Sequence, residues 1–237
     1  MQRYFAKLIN NQVILDDGDV HHLLHVMRNK KGDEIEAVID AKLYNCIIEE
    51  TSPLSIKINY EIPGNNELPV DVTLFFALAK GDKIDLVIQK ATEIGATRIV
   101  LVKTERCVVK LEEKNIEHKL ERFRKIAKEA SEQCHRLKVP EIVGVVDIRN
   151  ISTQLLADVN LLAYEKIAGE TKDILSIVNQ KNSVSVMIGP EGGFSEEEVK
   201  MLKDKYGFQL VSLGKRILRT ETAAIYALSV ISCLLEK

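Results

Sequence analysis

Apolar positions change period along this chain, and the change divides it. Arg3 to Ile9, Gln12 to Leu15, Glu34 to Ile39, Leu43 to Glu49 and Leu54 to Glu61 are short, partly alternating segments that predict strands. Asp16-Asp17-Gly18 and Lys31-Gly32-Asp33 are turn signals between them. Asp19 to Asn29 carries the only helical pattern of this part, with Val20, Leu23, Leu24 and Met27 on one face. Five strands and one helix predict a compact barrel. Ile62 to Pro69 holds two prolines, a glycine and two asparagines, and reads as a linker between residues 1–68 and 69–237.

Beyond the linker, strands alternate with helices. Val72 to Leu78 predicts an apolar strand. Lys83 to Ile94 predicts a helix, with Ile84, Val87, Ile88, Ala91 and Ile94 on one face and Gly95 as its stop. Arg98 to Val102 is again a strand. A long helical pattern follows from about Asn115 to Leu137, with Leu120, Phe123, Ile126, Ala127 and Ala130 inward. Strands at Ile142 to Val146, Leu161 to Tyr164, Val184 to Ile188 and Phe208 to Leu213 come next, with helical segments expected between them. This alternation predicts an α/β fold built on a mainly parallel, helix-covered sheet.

The last two strands run directly into glycine loops, Gly189-Pro190-Glu191-Gly192-Gly193 and Gly214-Lys215-Arg216. Glycine lets the backbone approach another molecule closely, and loops at the carboxyl ends of strands are where an open α/β sheet holds its ligand. Ser195 and Glu198 form a capping box with Phe194 and Val199 at the staple positions, and Gly207 stops that helix. Thr220 is the expected N-cap of the last helix. Its stretch Ala223 to Leu235 is apolar apart from Ser229 and Ser232, too short to cross a bilayer, and in need of cover from its own domain or a second copy. No P-loop occurs. A Rossmann fingerprint is absent too, because Glu93-Ile94-Gly95-Ala96 has one glycine and follows a helix. What remains is a pocket of peptide groups with aliphatic walls from Ile188, Leu213, Ile217 and Leu218, a lining that suits an adenosine.

Composition narrows the class. Of 237 residues, 46% are hydrophobic and 29% charged, as in an ordinary globular protein, and a 5% aromatic content without tryptophan makes the core aliphatic. No amino-terminal apolar run resembles a signal peptide, so the cytoplasm is expected. Cys46, Cys107, Cys134 and Cys233 form no C-x-x-C pair, and His21, His22 and His25 lack a carboxylate at metal-site spacing, so no metal is expected. The net charge of −2 conceals an asymmetry: Lys80 to Pro140 has fifteen basic against ten acidic residues, leaving −7 elsewhere. Such a basic region fits nucleic acid, or a solvated helix laced with i,i+4 pairs.

Several stretches together resemble one family. Gly189-Pro-Glu-Gly-Gly-Phe-Ser-Glu-Glu-Glu and Leu213-Gly-Lys-Arg-Ile-Leu-Arg-Thr-Glu-Thr-Ala are similar to two signatures of the bacterial ribosomal RNA small-subunit uridine N3-methyltransferases, of the SPOUT class. The likeness extends to Lys80-Gly-Asp-Lys, Gln89-Lys-Ala-Thr-Glu-Ile-Gly, Glu105-Arg-Cys-Val-Val-Lys, Gln133-Cys-His-Arg and His21-His-Leu. It implies a PUA-like RNA-binding barrel over residues 1–68 and a SPOUT parallel sheet with a carboxyl-terminal trefoil knot over residues 69–237. It implies S-adenosyl-L-methionine as cofactor, contacted by Leu162, Ala163, Tyr164, Glu165, Ile188, Gly189, Pro190, Glu191, Gly192, Gly193, Leu213, Gly214, Ile217, Leu218, Arg219 and Thr220. It also implies a homodimer, and as substrate the small-subunit ribosomal RNA, in the assembled 30S subunit, at uridine 1498 of 16S RNA.

N3 of uridine carries a proton and must begin to lose it before attacking a methyl group. Arg219, stabilising the anion, and Glu221, taking the proton or orienting a water, are the expected catalytic residues. An ion pair and a favourable first-turn charge are their alternative uses. Expected contacts to RNA are Arg3, His22, Arg28, Arg106, Lys110, Arg124 and Arg136. A ribose 2′-O-methyltransferase of similar fold, and a non-catalytic RNA-binding assembly factor, stay open as alternatives.

Overall fold

The computed structural model describes residues 1–107, 113–164, 174–178 and 182–236. The chain forms two units, one of Met1–Glu67 with Ser131–Lys138, the other of Leu68–Ala130 with Val139–Lys237.

In the first unit, β1 (Arg3–Phe5), β2 (Lys7–Ile9) and β3 (Gln12–Ile14) precede α1 (Asp17–His21), which runs on into a π-helical turn, His22–Val26. Strands β4 (Glu34–Ile39), β5 (Lys42–Thr51) and β6 (Leu54–Ile62) follow. Asp16-Asp17-Gly18, expected as a turn, opens the helix instead: the Asp16 carboxylate accepts from the Asp19 N–H at 2.8 Å and caps it. The segment expected as one strand from Arg3 to Ile9 breaks at Ala6, so β1 and β2 join different sheets. The first sheet has the order β1-β4-β5-β6, with β1 parallel to β4, and β2 pairs only with β3 in a hairpin. Tyr4, Val13, Leu23, Ile35, Cys46, Ile48 and Ile56 fill the core among these pieces.

The second unit contains β7 (Val72–Ala77), α2 (Lys83–Glu93), β8 (Arg98–Lys103), α3 (Glu113–Gln133), β9 (Glu141–Asp147), β10 (Val159–Ala163), β11 (Val184–Ile188), α4 (Glu196–Tyr206), β12 (Gln209–Val211) and α5 (Thr220–Leu235), save that the end of α3 groups with the first unit. Its six strands are parallel, in the order β12-β10-β11-β7-β8-β9. Both faces are covered, and alternation along each strand decides which side chain meets which layer. Val72, Leu74 and Phe76 of β7 join Ile99, Leu101, Val184 and Val186 in the core shared with α2, α3 and α5. Phe75, Val100, Val102 and Met187 point the other way, toward Val199, Leu202 and Tyr206 of α4. One face of α5 is buried through Ala224, Ala227, Leu228 and Ile231, whereas Thr222, Tyr226, Ser229 and Cys233 are exposed.

Two expectations change. The long helix stops at Gln133 rather than Leu137, and His135 takes a left-handed φ of 63° just beyond it. The helix expected between β9 and β10 is replaced by two 3-10 turns, Ile148–Asn150 and Thr153–Leu155. Asp147 and Ser152 accept from the N–H groups of Arg149 and Gln154, and these side-chain bonds favour tight turns over a helix. Between β10 and β11 the described residues hold one more such turn, Ile174–Ser176, and the rest of the helical segment expected there lies outside the described residues.

Candidate functional site

The chain leaves β9 at one edge of the second sheet and re-enters at β10 on the far side of β7. At the carboxyl ends of β10, β11 and β12 lies a cavity of about 420 Å³, a size suited to a small organic ligand. Gly189 follows β11 directly, and a Cβ there would stand 2.8 Å from the Phe194 ring, so the backbone runs bare beneath that ring. The Gly193 N–H donates to the Pro190 carbonyl at 2.9 Å and closes a turn, which the chain leaves through a left-handed φ of +67° at Gly193. Behind it the Ser195–Glu198 capping box is complete and starts α4. The last helix begins at Thr220, as the apolar run suggests, but its N-cap is Arg219, whose side chain makes no capping bond.

The cavity brings together Ala163, Tyr164, Ile188, Gly189, Pro190, Glu191, Gly193, Leu213, Gly214, Ile217, Leu218, Arg219 and Thr220 from the expected set. Two of that set lie elsewhere. Leu162 is fully buried in the core beneath α4. Gly192 faces Arg106, whose guanidinium donates to the Gly192 carbonyl at 3.1 Å, and a Cβ there would make a tight contact with the Arg106 Cβ at 3.2 Å. Glu165 lies outside the described residues. The lining also includes Lys83, Phe194, Ser212 and Ala223, which sequence reasoning did not select, and Arg216 of the second glycine loop. The signal for Lys83 was its place in the Lys80-Gly-Asp-Lys motif.

Charges at the cavity are organised around Lys83. Its ammonium lies 2.7 Å from Glu191 and 3.5 Å from Glu221. The hydrogen bond from Lys83 holds the Glu191 carboxyl below its ordinary pKa, and the same bond raises that of Lys83. Burial pushes Glu221 upward, but its own backbone N–H, the Thr220 hydroxyl and Lys83 together hold it below the usual carboxylate value. A carboxylate so stabilised is a weak base. Arg219, by contrast, is exposed at the cavity mouth and makes no side-chain hydrogen bond or ion pair with the described residues.

Two expected RNA contacts are corrected. Arg136 is 3% exposed, and its Nε lies 3.1 Å from Glu67 Oε2. The other Glu67 oxygen accepts from the N–H groups of Leu137 and Lys138. Arg3 is 4% exposed, paired with Glu36 at 2.8 Å, and donates to the His135 carbonyl. Both cations are spent inside the first unit and none of their charge faces solvent. His22 is half-buried with its Nδ1 3.0 Å from the Tyr4 hydroxyl. Arg28 is exposed, and Arg124 is exposed but paired with Glu117 at 2.8 Å. Lys110 lies outside the described residues. Among the described residues no three His, Cys, Asp or Glu side chains are grouped to hold a metal ion, and no helix is long and apolar enough to cross a membrane.

Comparison with known proteins adds the family. Residues 66–232 match the RNA methyltransferase domain and residues 15–59 the RNA methyltransferase PUA domain. The chain belongs to this RNA methyltransferase family. Within it, the ribosomal RNA small subunit methyltransferase E of Bacillus subtilis (strain 168) is 38% identical, over 98% of this chain and 96% of that relative. A solved structure of a ribosomal RNA small subunit methyltransferase E from Neisseria gonorrhoeae, bound to S-adenosyl methionine, superposes with a TM-score of 0.86 at 30% identity, covering 99% of this chain and 98% of that one. A methyltransferase from Legionella pneumophila in complex with the cofactor SAM gives 0.88 at 30% identity, covering 98% and 97%.

Proposed function

We propose that this chain is an S-adenosylmethionine-dependent methyltransferase that methylates N3 of a uridine in small-subunit ribosomal RNA. The observation that carries the reading is the cavity itself. It lies at the carboxyl ends of three parallel strands, in a chain whose family modifies RNA. The residues present fit the cofactor. Peptide groups left bare at Gly189, Gly193 and Gly214 can meet an adenine edge, while Ile188, Leu213 and Leu218 pack its faces. When bound, S-adenosylmethionine supplies a methyl group on a positively charged sulfur.

The chain's own residues must hold the uridine against that group and favour loss of its N3 proton. Arg219 stands at the cavity mouth with its charge uncommitted, and there it stabilises negative charge developing on the uridine oxygens. Glu221 is better placed to orient than to accept a proton, because Thr220 and Lys83 already stabilise its anionic form. The proton then passes to water. Positioning of base and cofactor supplies much of the acceleration.

The finer architecture belongs to the same proposal. Residues 1–68 act as the RNA-binding domain and 69–237 as the catalytic domain, whose carboxyl-terminal segment passes through a loop as a trefoil knot. Two copies associate through the exposed side of α5, where Tyr226 is 44% accessible, and the dimer acts in the cytoplasm on the assembled 30S subunit. Incubation of the protein with S-adenosylmethionine and 30S subunits lacking the modification, followed by mass spectrometry of the nucleosides, tests the reaction. N3-methyluridine is expected; a ribose 2′-O-methyl nucleoside, or no product, overturns the assignment.

A further inference from the structure

Lys83 stands in the first turn of α2, where a cation faces the positive end of the helix dipole. Its own helix therefore gives it no electrostatic reward. The ammonium turns instead to Glu191, in the loop after β11, and to Glu221, in the first turn of α5. One side chain thus connects three elements that are distant in sequence. The junction is shielded at its Glu221 end and open at its Glu191 end, with Glu221 15%, Lys83 30% and Glu191 40% exposed. On its other side the same glycine loop is gripped by Arg106, through the Gly192 carbonyl. Without the ammonium, two carboxylates would face each other across the cavity edge and drive the loop away from α5.

We propose that Lys83 is a positioning residue that ties the glycine loop after β11 to the start of α5 and so sets the spacing between two walls of the ligand cavity. This rests on reading the cavity as the S-adenosylmethionine site. A preformed spacing lowers the cost of ordering the loop when ligand binds. The residue acts through the loop.

The test is calorimetry of the full chain with S-adenosylhomocysteine, alongside S-adenosylmethionine. The first has no sulfonium, so its affinity reports the position of the walls rather than attraction of a cation to bared carboxylates. Lys83→Met should weaken S-adenosylhomocysteine about fivefold, the size expected of a partly exposed charge pair with a bared neighbour. Lys83→Arg should restore most of the loss. Adding Glu191→Gln to Lys83→Met should recover part of the loss, because the repelling pair has gone. In ligand-free protein, amide exchange at Gly192 and Gly193 should quicken in Lys83→Met. Turnover should show KM for the cofactor rising in step with the loss of affinity.

Wild-type affinity together with wild-type amide exchange in Lys83→Met overturns the bridge and leaves the cofactor reading standing. A wild-type chain that takes up neither ligand overturns that reading and the bridge with it. Should Lys83→Met fail to fold, Glu191→Gln alone tests the bridge from its other end: quicker amide exchange at Gly192 and Gly193 is expected, and wild-type exchange with wild-type affinity overturns it.

Discussion

Arg3 and Arg136 of the first unit and Arg216 and Arg219 at the cavity mouth of the second are the same residue type in opposite settings. The first two are 4% and 3% exposed, each held by a carboxylate, Glu36 and Glu67. The second two are exposed and make no ion pair with the described residues. A buried guanidinium has exchanged hydration for fixed partners, and removing it leaves a carboxylate stranded. An exposed one keeps its field available for an anion that arrives later. Burial thus sets these arginines apart where residue type cannot separate them, and only the exposed pair keeps its charge available to the RNA chemistry proposed above.

The sharpest way to break this comparison is Arg136→Ala. It should destabilise the protein by about 3–5 kcal/mol in urea unfolding, through the unpaired Glu67. Burial raises the Glu67 pKa, but Arg136 and the Leu137 and Lys138 N–H groups outweigh it and hold it below the ordinary value. Its contribution is therefore complete above the unfolded-state pKa and is lost as pH falls through the depressed folded value. The variant should lose that acid-side decline. An unchanged unfolding midpoint with weakened RNA binding would return Arg136 to the RNA surface.

Arg219→Ala should leave the fold intact and lower turnover by about a hundredfold, with RNA affinity little altered, if its charge acts mainly in the transition state. Single-turnover methylation distinguishes the two parameters. Gly193→Val places a β-branched residue at a φ of +67°, a strain of about 1–3 kcal/mol. It should weaken cofactor affinity by about tenfold in calorimetry. The strain is in the backbone, because no atom lies within 4 Å of the added Cβ. The smallest effect belongs to Arg216→Ala, which should reduce the salt slope of RNA binding by about one unit without changing stability.

Much of the second unit was legible because its strands are buried on both faces and read as unbroken apolar runs, such as Val72 to Leu78 and Val184 to Ile188. The Ser195–Glu198 cap was legible for the same local reason: both partners lie within one turn. What escaped was set by contacts between distant residues. Arg136 meets Glu67 across 69 positions, and Lys83 meets Glu191 across 108. No window along the chain contains both members of either pair. Arg3 and Arg136 therefore looked like free cations, and Lys83 looked like part of a motif without a task. The short turns between β9 and β10 escaped because Asp147 and Ser152 compete locally for backbone that would otherwise read as helix.

The first unit is not continuous in sequence: it needs Ser131–Lys138 as well as Met1–Glu67. During translation this orders events in time. When residue 67 leaves the ribosome, Glu67 has no Arg136 to meet and Arg3 has no His135 carbonyl, because neither has yet been synthesised. The amino-terminal segment must wait, incomplete, while β7, α2, β8 and most of α3 emerge. Domains usually mature from the amino terminus as the nascent chain lengthens, but here the earlier unit is sealed by residues made in the middle of the later one. A ribosome stalled before residue 131 would therefore display an amino-terminal unit in which Arg3 already holds Glu36 but the Glu67 carboxylate has no guanidinium to meet.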